Sequence, residues 1–185
     1  VNAVIEQGVH AQDRVADQIE QELLDLRNRL RYGDGNSTVR IIDELRHLWD
    51  QDFRPTTATF LSRSVVDSLV VHTNWAEIEP WIKHSIEKID VIKVNGNAQD
   101  ALVYKDHPAG LSVIAVGGDK LSRGLTLEGL TVSYYLRASR MYDTLMQMGR
   151  WFGYREGYTD LIRLYTTGEL QDHYRDITIA NEELG

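Results

Sequence analysis

Cysteine is absent from this 185-residue chain, which excludes disulfides and thiolate metal sites and fits a cytoplasmic location better than a secreted one. No apolar run approaches the roughly 18 residues that a membrane span requires, and the N-terminus lacks the charged-then-apolar layout of a signal peptide. A membrane partner is not expected. No internal repeat, low-complexity tract or linker divides the chain. A Gly-x-x-x-x-Gly-Lys-Ser/Thr phosphate loop is missing too, so the sequence contains no triphosphate cradle of its own. The six histidines are scattered and form no cluster at metal-ligand spacing. Positive charge is scarce: 20 Lys and Arg stand against 28 Asp and Glu, a formal net of −8.

What is present is an ordinary globular composition, 42% apolar and 26% charged, far from that of a disordered chain. The length suits one well-buried domain with a helical extension, so a single domain over residues 1–185 is expected. The opening "VNAVI" starts on Val and reads as the tail of a strand, the mark of a piece of a longer protein.

The net charge hides an asymmetry. Between Lys120 and Arg155 six basic residues (Lys120, Arg123, Arg137, Arg140, Arg150, Arg155) face two acidic ones (Glu128, Asp143), a local net of +4 that leaves −12 for the rest. A basic segment on an acidic body is the pattern of a localised phosphate site, whereas a protein that coats nucleic acid is usually basic throughout.

Val15, Ile19, Leu23, Leu26 and Leu30 recur every three or four residues and predict an amphipathic helix over Val9–Tyr32, stopped by "GDG". Ser37 is placed to cap a second helix through Trp49, with Ile41, Ile42, Leu45 and Leu48 on one face, and Pro55 to close the loop after it. Residues 60–71 read as mostly helix, although "LVVHT" alone would suit a strand. Residues 75–89 are helical again, with Pro80 tolerable only in a first turn. After about Ile89 the texture changes: "DVIKVNG", "LSVIAVGG", "LTVSYYL" and "LIRLYTT" are short β-rich runs, with a helical pattern (Met141, Leu145, Met148) between the last two. Runs with so little alternation predict strands covered on both faces, hence a parallel or mixed sheet wrapped by helices. The fold class is α/β, with a helical elaboration over roughly residues 37–90.

Two loops stand where strands of such a sheet end. The first, "GGDKLSRGLTLEGL" (117–130), has paired glycines that let the backbone approach a ligand, and Lys120, Ser122 and Arg123 as donors for phosphate oxygens. The bland reading is a tight turn with solvated charges. The second, "LMQMGRWFGYREGY" (145–158), sets Arg150 and Arg155 among three glycines and four aromatics. A guanidinium held between glycines at a helix end can be aimed at a phosphoryl group; it can also simply stack on Trp151 or Tyr154.

The run "GGDKLSRGLTLEGLTVSYYLRASRMYDTLMQMGRWFGYREGYTDLIRLYT" closely resembles the Z-one domain, a family often labelled an endonuclease and found in helicase-like proteins of bacterial restriction and defence systems. The match is specific over about residues 111–166 and looser over "NRLRYGDG" and the helices before it. The family resembles the second RecA-like lobe of superfamily-two ATPases, which implies a mostly parallel sheet with helices on both faces. On that mapping "GGDKLSRGLTLEG" takes the place of motif V and "QMGRWFGYR" that of motif VI. The resemblance implies Arg150 as arginine finger and Arg155 as a second phosphate contact. It further implies Gly118, Asp119, Gln147 and Gly149 at the nucleotide, and Lys120, Ser122, Arg123, Gly124 and Thr126 at the nucleic-acid backbone. ATP and Mg2+ would be held mainly by a first RecA-like lobe of the same protein. Double-stranded DNA and a nuclease subunit or domain are the other implied partners. The spacing departs from the common Gln-x-x-Gly-Arg-x-x-Arg: Gln147 lies two residues before Gly149, and Arg155 five after Arg150. The opening strand "AVIEQGVH" also lacks the His and Ser/Arg residues the family's motif IV would supply.

Two other classes compete. A nuclease in its own right finds little support, because no Glu-x-Lys follows a suitable Asp, no His-x-Lys pair occurs, and Glu87 and Lys88 are adjacent rather than alternating. An interaction module would use Trp49, Trp75 and Trp81 as a docking face; packing in a core is the simpler expectation.

Overall fold

The computed structural model describes residues 2–5, 9–33, 35–63, 67, 69–94, 110–118, 129–135 and 156–184. Five strands, β1 (Asn2–Ile5), β2 (Asp90–Val94), β3 (Val113–Gly117), β4 (Val132–Tyr135) and β5 (Arg163–Thr166), form one sheet in the order β2-β3-β1-β4-β5, and every pairing is parallel. Among the described residues the helices are α1 (Val9–Tyr32), α2 (Gly35–Leu48), α3 (Arg54–Ser62), α4 (Trp75–Glu87) and α5 (Gly168–Leu184), with a π-helical turn at Trp49–Phe53 and a 3-10 turn at Thr159–Leu161.

Register fixes the two faces. Lys93 pairs with Val116, Val116 with Val4 and Val4 with Tyr134, so these positions form one row across the sheet. Lys93 Nζ reaches Asp17 Oδ1 at 2.7 Å and Asp13 Oδ1 at 3.5 Å, both on α1, which puts α1 on that face. Tyr135, one residue along from Tyr134, points the other way; it is fully buried and interacts with Tyr174 of α5. Helices thus lie on both faces, and Val113, Ala115 and Val116 are buried regardless of which face they take, as the unalternating run "SVIAV" predicted; β4 and β5 depart from that expectation, since Tyr134 and Tyr165, paired on the α1 face, are exposed.

The amphipathic stripe of α1 does two jobs. Ala16 is buried near the sheet end of the helix, whereas Leu23 and Leu30 join Ile41 of α2 and Ile82 and Ile86 of α4 in a second core, with Trp75 and Val91 packed against it. Arg27 secures this layer by donating to the carbonyls of Ile86 (3.2 Å), Glu87 (3.1 Å) and Ile89. These are C-terminal carbonyls of α4 and its exit, which have no partner within the helix. At the other end of α4, Glu77 Oε2 accepts the Asn74 N–H at 2.7 Å, one half of a capping box.

Several expectations need correction. The second helix begins at Gly35, so Ser37 lies inside it rather than at its cap. Pro55 does not close a loop: α2, the π-helical turn and α3 run on without a break, and Pro55 occupies the first turn of α3. The wider turn immediately precedes the proline, whose ring would otherwise crowd the carbonyl of Gln51. The helix expected over 60–71 ends at Ser62, and residues 70–74 are neither helix nor strand. Pro80 stands in the second turn of α4, not the first. The cost of a missing backbone hydrogen bond there, about 3 kcal/mol, is offset by burial of Ile82 and Ile86. The helical pattern of Met141, Leu145 and Met148 lies outside the described residues.

Candidate functional site

The carboxyl edge of the sheet carries Val94, Gly117, Ile5, Tyr135 and Thr166 in order across the five strands. The chain leaves β1 towards β2 on one side and β4 towards β5 on the other, so the connections diverge between β1 and β4. In open parallel sheets a crevice for ligands forms at such a point. The first basic, glycine-rich stretch leaves β3 through Gly118; the second belongs to the connection between β4 and β5, and its described end leads to the amino end of β5.

This edge is dry. Gly118 is buried in the bend that follows β3. Burial, reinforced by Tyr174, pushes the Tyr135 phenol up to about 12, and burial raises Tyr174 as well. Thr166 Oγ1, at the end of β5, and His173 Nδ1, on α5, are buried without a hydrogen-bond partner. Thr167 caps α5, its hydroxyl accepting the Leu170 N–H at 3.3 Å.

Of the residues expected at the site, Gly118 is the one described. Asp119, Lys120, Ser122, Arg123, Gly124, Thr126, Gln147, Gly149, Arg150 and Arg155 lie outside the described residues. The described residues resume at Glu156, one position after Arg155, and there a polar cluster not expected from the sequence holds the chain.

That cluster joins the helical layer to residues 157–163. Asp67 Oδ2 accepts the Gly157 N–H at 2.6 Å and the Thr159 hydroxyl at 2.7 Å, while Oδ1 accepts the Leu69 N–H at 3.2 Å. These bonds, the Thr159 hydroxyl foremost, hold the Asp67 carboxyl below its usual range. Gly157 has φ +80°, and a Cβ built there would lie 3.3 Å from Leu69 Cβ, so the turn approaches the layer too closely for a larger residue. Next along the chain, Asp160 is buried and accepts from the hydroxyl of Thr57, also buried. Arg163 opens β5 and presents its Nε to both oxygens of Asp52 at 3.0 Å, donates to the carbonyls of Asp160 (2.8 Å) and Ile162 (2.9 Å), and lies 4.4 Å over the Phe53 ring.

Phe53 in turn stacks on Trp49, with centroids 5.8 Å apart and planes 9° from parallel. The tryptophans therefore divide. Trp49 and Trp75 pack inward, the latter donating to Glu79 Oε2 at 2.7 Å, whereas Trp81 is 66% exposed. One signal could have flagged part of the cluster: Arg163 is a charge inside the apolar run "LIRLYTT" and needs a nearby carboxylate.

Among the described residues no three His, Asp or Glu converge as a metal site, and no helix is long and apolar enough to cross a membrane. The Z1 domain, the family named Z-one above, matches over residues 3–185. No curated protein sequence and no solved structure matches the chain.

Proposed function

Because the chain belongs to the Z1 family, we propose that it acts as the second motor lobe of an ATP-dependent, DNA-stimulated helicase or translocase of a restriction or defence system. The observation that supports the reading is the start of the first basic stretch at the carboxyl edge of a parallel sheet. Gly118, which opens the run towards Lys120, follows the carboxyl end of β3 beside central β1, and the described strands all pair in parallel. A phosphate-seeking segment at that edge suits a lobe that touches a nucleic-acid backbone beside a nucleotide bound by another lobe, and the arginines of residues 145–158 are assigned to the nucleotide through the family resemblance.

In this mechanism a first RecA-like lobe of the same protein binds ATP and Mg2+. Closure of the cleft brings Arg150 to the γ-phosphate, where its fixed charge and planar donors meet the negative charge that develops during transfer. Arg155 supplies a second phosphate contact, and Gly118, Asp119, Gln147 and Gly149 border the nucleotide. Lys120, Ser122, Arg123, Gly124 and Thr126 contact DNA phosphates and couple closure to the track. Cleavage belongs to a nuclease partner.

The test is ATP hydrolysis with and without duplex DNA, in the full-length protein, its Arg150→Ala form and the 185-residue chain alone. An arginine of this kind contributes about 10³- to 10⁵-fold in phosphoryl transfer. The expected result is DNA-stimulated turnover by the whole protein, its abolition in Arg150→Ala with DNA binding retained, and silence from the isolated chain. Near-normal turnover in the variant, or hydrolysis by the isolated chain, would refute the assignment.

A further inference from the structure

We propose that the unbroken helical rod from Gly35 to Ser62 is a brace between the two opposite edges of the sheet, and that its π-helical turn is the joint that fits it to β5. The brace does not depend on the nucleotide reading.

β2 and β5 are the outer strands of the described sheet, each paired on one side. Burial contributes little to β5, because Leu164 and Tyr165, which face opposite ways, are both exposed. A four-residue edge strand in that state needs an anchor outside the sheet. The rod reaches both edges. Its first half shares a core with α1 and α4 through Ile41, and Val91 of β2 packs against that core. The Thr38 hydroxyl also donates to the Arg29 carbonyl of α1 at 3.2 Å. The second half of the rod meets the entrance of β5 at two points, Asp52 on Arg163 and Thr57 on Asp160. From Ile41 to Asp52 a helix rises about 16 Å, against about 19 Å for the strand spacings from β2 to β5. One rod can therefore span the sheet.

The joint accounts for the two holds. Asp52 and Thr57 are five positions apart, and in an α-helix such residues point about 140° away from each other. Only one of them could then face β5. The π-helical turn is closed by the Arg54 N–H on the Trp49 carbonyl, and this wider turn swings residues five apart towards one side. It also sets Phe53 in its stack with Trp49 and 4.4 Å beneath the Arg163 guanidinium. Pro55 maintains the turn, because its ring would crowd the Gln51 carbonyl in an ordinary α-helix and it has no N–H to donate. Arg163 passes the hold on to the backbone: while Asp52 accepts from its Nε, its Nη1 donates to the Asp160 and Ile162 carbonyls that lead into β5. Beyond the end of the rod, Asp67 adds a separate hold on Gly157 and Thr159.

The experiment measures urea midpoint and amide exchange in β3 and β5 of the full-length protein, for the parent, Arg163→Met, a straightened rod and the two combined. The straightened rod lacks exposed Gln51 and carries Pro55→Ala, so that an ordinary α-helix runs through the joint. Arg163→Met and the straightened rod are each expected to speed exchange in β5 about 10- to 100-fold, as for lost bonds to a charged group, and in β3 by less. In the straightened rod, where Asp52 has already turned away, Arg163→Met is expected to change little more. An effect of Arg163→Met on the midpoint that is equally large in both backgrounds would show that the turn does not set the hold. Exchange that rises as much in β3 as in β5 would show that the anchor is not local to that edge. Should the straightened rod fail to fold, Thr57→Val and Asp52→Asn leave the turn in place: exchange that quickens more in β5 than in β3 supports the brace, and unchanged exchange in β5 overturns it.

Discussion

The polar groups on the approach to the amino end of β5 are more fully matched than those around its carboxyl end. Approaching the amino end of β5, Asp67, Asp160 and Arg163 are matched to Gly157 and Thr159, Thr57 and Asp52, partners about 90 to 111 positions away in the chain. At the carboxyl end, Tyr135 is buried with a raised pKa and Thr166 Oγ1 has no partner, and in α5, which follows β5, neither has His173 Nδ1. Unmatched buried groups cost stability and are uncommon away from functional sites. The first end is tied by side-chain bonds, with Trp49 Nε1 beside Phe53 its one buried atom without a partner among the described residues, and the second has two such atoms.

Three substitutions or conditions would break or sharpen that contrast. The largest effect is expected at the holding end. Arg163→Met leaves Asp52 without its guanidinium and removes the stack on Phe53. The Arg163 side chain is only 13% exposed but Asp52 is 34% exposed, so solvent screening trims the cost to about 2 to 3 kcal/mol, read as a shift in urea midpoint. A shift below about 0.5 kcal/mol would show that the clamp contributes little.

The second concerns pH. Tyr135 has its folded pKa raised to about 12 against an ordinary value near 10. The unfolded phenol therefore ionises first. Stability is full below pH 10 and is lost as pH rises from 10 towards 12, by about 2 to 3 kcal/mol for a shift of that size. Equilibrium unfolding of Tyr135→Phe against the parent across this range checks it: the variant should lack the part of the alkaline decline due to Tyr135. Parallel curves would show that the phenol is not desolvated.

The smallest effect is expected at Thr166. Replacing an unpartnered hydroxyl with a methyl of the same shape removes a desolvation cost without breaking a bond. Thr166→Val should hold or slightly raise the melting temperature while Arg163→Met lowers it. A clear destabilisation by Thr166→Val would mean that the hydroxyl has found a partner, and the contrast between the two ends would lose its sharpest point.

The sequence disclosed the elements far better than the clamp. The bounds of α1 could be read because its apolar spacing is regular and "GDG" follows it directly, with the Gly33 N–H closing on the Arg29 carbonyl at 3.0 Å. The strands were legible as short β-rich runs, two of them, "DVIKVNG" and "LSVIAVGG", ended by glycine. The helix expected over 60–71 failed for a local reason. Asp67 bonds the Leu69 N–H two residues on, a turn that competes with helix, and its other oxygen is engaged 90 positions away. No periodicity in one sequence reveals such a partner. The π-helical turn before Pro55 was hidden similarly, since a proline signals a break and gives no sign that a wider turn can absorb it. Gly118 was legible as a glycine after a buried strand, and it sits there.

The strand order has a consequence for biosynthesis. β1 is made first yet occupies the middle of the sheet, with Asn2 paired to both Ile114 and Val132. At the roughly 5 to 20 residues per second of translation, this strand waits several seconds or more after it is made before both neighbours exist. The layer formed by α1, α2 and α4 draws mainly on residues made in between, so it can assemble first and shelter one face of the waiting strands. A ribosome that stalls between β3 and β4 would leave β1 with one side open, a template for pairing with another chain.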